Sequence, residues 1–210
     1  MVSENKNLIQ IGTEHLLSTD KRFALLIERF GYPDIHGKTD YYNALAKSII
    51  FQQLSGKAAR IIYSRVLDIC GGKDKLYPNV ILSTPDNLFR SAGLSGAKTN
   101  YIKALSDSHL DGGLLPRDPK NMTNLEVSES LIRIKGIGQW TADMFLIFTL
   151  VRPDILPLTD LGIKKGFAVF FGLKRLPDEK YMLKEASKWK PYRSIASWYL
   201  WEIVDNDFSW

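Results

Sequence analysis

The chain of 210 residues carries 28 Lys and Arg against 23 Asp and Glu, a formal net charge of +5 with a pI near 9.2; it is long enough for one or two small domains with a sizeable core, and its basic balance suits a polyanion partner as well as an ordinary soluble protein. One cysteine, Cys70, excludes an internal disulfide and any four-cysteine iron–sulfur cluster, and three scattered histidines (His15, His36, His109) offer no metal-ligand spacing, so no metal centre or cofactor is expected. No apolar run reaches ~18 residues and residues 1–7 are polar, so no membrane span or secretory signal is expected, and the chain reads as intracellular.

Helical periodicity recurs along the chain and no alternating strand pattern appears, which predicts an all-α fold. Phe23, Leu26, Ile27 and Phe30 lie at i, i+3, i+4 and i+7, with Thr19 or Asp20 as the predicted N-cap and Gly31 as the end. The Pro/Gly loop 31–38 suggests a boundary near Thr39. A helix is predicted over about 40–52, with Leu45, Ile49 and Ile50 facing a core. The turn Phe51-Gln52-Gln53-Leu54-Ser55 follows, then a helix with Ala59, Ile62, Tyr63, Val66 and Cys70 on one face, closed by Gly71-Gly72. On spacing alone Gln52 and Gln53 are as well read as a polar turn.

Thr84-Pro85 reads as an N-cap followed by Pro at the first helical position. A small turn over 92–98 comes next, in which Ser95 can cap a helix through 101–105; Lys98 could approach phosphate there, but a plain helix–helix turn is the better reading. Residues 110–116 form a loop. Thr123 and Glu126 make a T-x-x-E capping box.

Residues 131–163 hold the densest signal. Leu131, Ile132 and Ile134 close a short amphipathic helix. Lys135-Gly136-Ile137-Gly138 makes a tight hairpin, because glycine adopts backbone angles that other residues avoid. A second helix is predicted over about 139–151, stopped by Pro153. Unsatisfied N–H groups and the positive end of this helix can hold a phosphate. The apolar, proline-broken run 155–158 reads as a buried extended return. The helix is ~18 Å long at ~1.5 Å per residue, and the eight residues 152–159 can span up to ~26 Å. The return can therefore carry Asp160 back to the hairpin end, beside Trp140. A helix is then expected from Asp160 to Gly172. Read locally, Asp160 is an N-cap; Lys164 and Lys165 are a solvated helix face. The aromatic-rich stretch 189–201 is read mostly as core.

The residues Ile134, Lys135, Gly136, Ile137, Gly138, Trp140, Thr141, Ala142 and Asp160 together resemble the helix-hairpin-helix DNA repair glycosylases, in particular the compact form of the 3-methyladenine DNA glycosylase II (AlkA-like) family. The resemblance covers about residues 40–201 and extends to the terminal W-K-P-[WY]-R-S motif at Trp189-Lys190-Pro191-Tyr192-Arg193-Ser194. It implies a two-lobed all-α fold, with one lobe over 40–150 holding the hairpin. The other lobe combines 1–39 with 151–210 and carries Asp160 on the wall of a DNA-binding cleft.

The resemblance further implies a monofunctional glycosylase that flips and excises alkylated purines in base excision repair. Asp160 would be the catalytic carboxylate, stabilising positive charge that develops on the sugar and orienting or deprotonating water. Trp140 and Trp201 would select a cationic base by cation–π contact. Met144 and Leu161 would line the same pocket where more aromatic members carry rings. Relatives that also cut the backbone keep a lysine nucleophile where this chain has Trp140, which implies no lyase activity. Gln52, Gln53 and Ser55 would face the minor groove, with Gln53 at the wedge position. Lys135, Gly136, Ile137, Gly138 and Thr141 would hold phosphate without reading sequence, and a Na or K ion bridging the Gly136–Gly138 backbone to phosphate is compatible with this. Tyr192 and Arg193 would brace the fold. The expected partner is double-stranded DNA with alkylated bases, met by a monomer, in the nucleoid of a prokaryote or the nucleus of a eukaryote. Two other readings remain open: a non-catalytic helix-hairpin-helix binding module, which would need neither Asp160 nor the tryptophans, and an oxidised-purine glycosylase.

Overall fold

The computed structural model describes residues 2–54, 56–70, 72–115 and 118–206, so Ser55, expected to contact DNA, lies outside the described residues. The described residues hold α-helices and two short 3-10 turns and no strand, in agreement with the all-α expectation. Among them, no helix is long and apolar enough to cross a membrane. The chain divides into two compact units, residues 38–150 and residues 1–37 with 151–210.

The 38–150 unit holds α3 (Tyr41–Phe51), α4 (Gly56–Ile69), α5 (Pro78–Ser83), α6 (Asp86–Ser91), α7 (Gly96–Leu110), α8 (Asn124–Ile132) and α9 (Gln139–Phe148). Its centre is α3, which packs on α4, α7 and α9 and buries Tyr42, Leu45, Ala46, Ile49 and Ile50. Asp40 caps α3 by accepting from the Asn43 N–H at 3.0 Å. Asn43 in turn binds the backbone of Leu76 through both its donor and its acceptor. Such a pairing satisfies loop groups that no helix serves. Ser95 caps α7, and Thr123 and Glu126 complete the capping box of α8, both as the sequence predicts.

Three boundaries in this unit differ from expectation. Thr84 is the residue after α5 and Pro85 is the N-cap of α6, so the proline sits one position earlier relative to its helix than predicted. The short α5 itself begins with Pro78 and has no counterpart among the predicted elements. Helix α9 ends at Phe148, not near 151: the N–H groups of Thr149 and Leu150 both bond the Phe145 carbonyl, and Val151 at φ 55° turns the chain away before Pro153 is reached.

The second unit holds α1 (Val2–Thr19), α2 (Phe23–Phe30), α10 (Leu161–Phe170), α11 (Glu179–Glu185) and α12 (Arg193–Asp205). Helix α1 has no predicted counterpart. The cap of α2 is also corrected: neither Thr19 nor Asp20 caps it, Thr19 being the last residue of α1 and Arg22 the N-cap. Asp20 instead takes ion pairs from Arg22 and Lys188 at 2.7 and 2.9 Å. Burial alone would raise its pKa, but these bonds outweigh it and bring it down to about 2. The core gathers Leu16, Phe23, Leu26, Phe167, Phe170, Trp189, Tyr199 and Leu200, so Trp189 and Tyr199 belong to the packing. Helices α10 and α12 meet most closely, because Gly166 leaves room for the Leu200 carbonyl where a Cβ would stand 2.3 Å from it.

Candidate functional site

In the 38–150 unit, α8 and α9 pack together and the hairpin joins them. Its apolar residues Ile134 and Ile137 are buried, while Lys135, Gly138 and Trp140 are exposed. The two glycines do different work. Gly136 has φ 96°, and a Cβ there would lie 2.2 Å from Cγ of Tyr101, so both conformation and packing demand glycine. Gly138 has ordinary extended angles and open space on its side-chain side. It is the N-cap of α9 and offers no side-chain cap, and the first intrahelical bond runs from Ala142 N to its carbonyl. Gly138 lends the first turn of α9 no side-chain cap and leaves open space on its own side-chain side, and a helix start of this kind suits an anion. Lys135 also lines, with Arg133, Ser108 and Ser130, a cavity of ≈ 380 Å³ beside the hairpin.

Thr141 and Ile137 are only 3% and 4% exposed, so any contact they make with a polyanion runs through their backbone. The Thr141 hydroxyl accepts from the Gln52 side-chain amide at 3.2 Å, and the same nitrogen donates to the Gly136 carbonyl at 3.1 Å. Gln52 thus faces the hairpin. A cation at the hairpin carbonyls would share the Gly136 oxygen with it. Gln53, the wedge candidate, is exposed and has φ 55°. Lys98 is directed inward: its ammonium donates to the carbonyls of Ile50 and Gln52, which fits the plain helix–helix turn and not the approach to phosphate. Met144 lines a cavity of ≈ 180 Å³ between α3 and α9, with Ser48, Phe51, Thr141 and Phe148.

Asp143 is a residue that sequence reasoning misses. It is 7% exposed on the inner face of α9, where burial pushes its carboxyl up to about 6 against the bond it accepts from the Gln139 amide at 2.8 Å. Gln139 also donates to Ser128 of α8 at 3.1 Å. The i, i+4 spacing of Gln139 and Asp143 is the signal that could have found it.

In the second unit Asp160 is the N-cap of α10. Its Oδ1 accepts from the Ile163 N–H at 2.7 Å and from the Trp201 indole N–H at 3.0 Å. The return segment that delivers it is fastened to the start of α12. Arg193 grips Asp154 with two bonds of 2.6 and 2.9 Å, the Ser194 hydroxyl donates to the Arg152 carbonyl and accepts from Ile155 N–H, and Ser194 N–H bonds the Pro153 carbonyl. Arg193 therefore braces the fold as expected. A bidentate guanidinium–carboxylate pair fixes orientation as well as distance. Trp201, two turns along α12, is half-buried, and Leu161 is 55% exposed. Among the described residues no cluster of His, Cys, Asp or Glu could hold a metal ion.

Residues 46–191, which contain both the hairpin and Asp160, match the HhH-GPD superfamily of base excision DNA repair proteins. The chain belongs to that superfamily. This HhH-GPD chain is 33% identical over 193 residues to DNA-3-methyladenine glycosylase 1 of Schizosaccharomyces pombe, covering 90% of this chain and 84% of that protein. It superposes with a TM-score of 0.82 on the S. pombe 3-methyladenine DNA glycosylase Mag1 solved in complex with abasic DNA, at 30% identity over 95% of this chain and 99% of that one. A solved DNA-3-methyladenine glycosidase from Bacillus halodurans gives a TM-score of 0.80 at 34% identity, covering 92% of this chain and 88% of that one.

Proposed function

We propose that this protein is a monofunctional DNA glycosylase that excises alkylated purines of the 3-methyladenine type from double-stranded DNA by hydrolysis of the N-glycosidic bond. The observation that carries the reading is Asp160, a carboxylate pinned through one oxygen by a backbone N–H and an indole N–H within a family-matched segment. Glycosidic cleavage builds positive charge on the sugar, and a carboxylate held beforehand in one orientation stabilises that charge without reorganising. An alkylated purine such as 3-methyladenine is already cationic and leaves without a separate general acid. The hairpin, with an α9 N-terminus that Gly138 leaves without a side-chain cap and with exposed Lys135, supplies a phosphate clamp that positions duplex DNA without reading its sequence.

In this reading the exposed indole of Trp140 and the half-buried indole of Trp201 would serve cation–π selection of the base, with Met144 and Leu161 as further candidates for contact with it. Trp140 stands where lyase relatives keep a lysine, and an indole forms no Schiff base, which supports a reaction that stops at the abasic site. The test is incubation with methylated duplex DNA, with released bases separated by chromatography and strand breaks scored before and after heating. Release of 3-methyladenine with breaks only after heating is the expected result. No base release defeats the reading, and unheated breaks defeat its monofunctional part.

A further inference from the structure

Lys98 occupies the first turn of α7, where its charge opposes that helix's own dipole, and partial burial lowers its pKa. What compensates is at the far end of α3. Its ammonium donates to the carbonyls of Ile50 at 2.8 Å and Gln52 at 2.5 Å, the last acceptors of that helix, where a cation is favoured. Gln52, so held by its backbone, spends its side-chain amide on the Gly136 carbonyl and the Thr141 hydroxyl. Immediately afterwards comes Gln53 at φ 55°, exposed, followed by exposed Leu54. A non-glycine residue in the left-handed region persists where its surroundings over-determine it. Here α7, the hairpin and α9 all fix the residue just before it.

We propose that Lys98 and Gln52 are positioning residues that lock the Gln53–Leu54 turn in one conformation and in register with the hairpin, so that the turn enters a duplex at a set distance from the clamped phosphate. The inference rests on the DNA glycosylase reading above. It assigns to Lys98 and Gln52 no contact with DNA: they act through the turn and the hairpin they hold.

The variants are Lys98→Met, Lys98→Arg and Gln52→Met in the full chain, with thermal unfolding followed in parallel. One probe is a duplex carrying a tetrahydrofuran abasic analogue opposite 2-aminopurine, whose fluorescence changes when the turn enters the stack. The others are undamaged duplex, and an alkylated oligonucleotide used as duplex and as single strand. For Lys98→Met and Gln52→Met the fluorescence response is expected to fall at least five-fold, and single-turnover excision from duplex at least ten-fold. For Lys98→Met, affinity for undamaged duplex and excision from the single strand, which has no partner base to displace, should stay within two-fold. Lys98→Arg should recover at least half of the response. Wild-type fluorescence in Lys98→Met overturns the proposal. So do equal losses on duplex, single strand and undamaged DNA, which are the mark of general destabilisation. A wild-type protein that gives the fluorescence response but releases no base defeats the proposed reaction and leaves the positioning intact; one that gives no response overturns the positioning.

Discussion

Replacing Asp160 by Asn removes one negative charge and little else. The amide oxygen of Asn can still accept from the Ile163 N–H and the Trp201 indole, and Asn is as good an N-cap as Asp, so α10 should start as before. Asp160→Ala is the less informative change, because it also forfeits the cap, worth about 0.5–2 kcal/mol. The loss in the Asn variant can be sized from Coulomb's law. A unit charge at about 4 Å, at an effective dielectric near 20, interacts with ~4 kcal/mol. Only part of the sugar charge has developed in the transition state, so about 3–4 kcal/mol is the ceiling, or roughly 10²–10³ in rate. The assay is single-turnover release of 3-methyladenine at saturating protein, with duplex affinity and thermal midpoint measured alongside. We expect at least a ~100-fold drop in the chemical step, with affinity and midpoint unchanged. A variant within about ten-fold of wild type would refute the reasoning, since so small a loss is a single hydrogen bond's worth and not a charge's.

The hairpin glycines should separate: Gly136→Ala lowers the thermal midpoint strongly because its methyl meets Tyr101, whereas Gly138→Ala loses only the N-cap preference of glycine over alanine and weakens all duplexes alike, damaged or not. A Gly138 variant that loses affinity for damaged duplex alone would show that the hairpin is no general phosphate clamp. Asp143 has a folded pKa of about 6, above its ordinary 3.8, so its protonated form is favoured on folding; its contribution to stability should be fully present below about pH 4 and be lost as pH rises through 6. Asp143→Asn should flatten that slope and add about 1–2 kcal/mol at pH 7.5 after allowance for solvent screening, as read by denaturant unfolding at several pH values. Trp140→Ala should cost excision of cationic 3-methyladenine about 1–2 kcal/mol more than excision of neutral hypoxanthine, and borohydride should trap no protein–DNA complex with the wild type. Equal losses for the two bases would make Trp140 a packing residue.

What the sequence made legible was local. The capping box of α8 and the Ser95 cap of α7 each lie within three residues of their partners, and both are present. Helix α1 escapes a periodicity reading because its inward face, Ile9, Gly12, Thr13 and Leu16, has the right spacing but two members that no hydrophobicity count scores. Gly12 is there for Ile195, whose Cδ1 would lie 2.2 Å from a Cβ, and that partner is far along the chain. Lys98 defeats a local reading for the same kind of reason. Its partners are 48 and 46 residues away, and a lysine at a helix start looks like a phosphate ligand until folding brings the carbonyls of another helix to its ammonium. Gln52 and Gly136 are 84 residues apart, and only the folded unit brings them together.

Asp160 shows why the structural and the chemical readings of a residue need not compete. A local reading makes it an N-cap, and it is one. Yet the capping bond, together with the Trp201 indole, is what fixes the carboxylate against rotation. An unrestrained aspartate would have to order itself as charge developed, and the cost of that ordering would come off the stabilisation it gives. In the proposed reaction the chain would meet that cost during folding. Arg193 and Ser194 bind residues 152–155 to the head of α12, and α12 then carries Trp201 to the same oxygen that the backbone of α10 holds. The W-K-P-Y-R-S motif and the carboxylate, 29 or more residues apart in sequence, are therefore parts of one device. A substitution that loosens Arg193 from Asp154 should reach the chemistry through the return segment, without touching Asp160 itself.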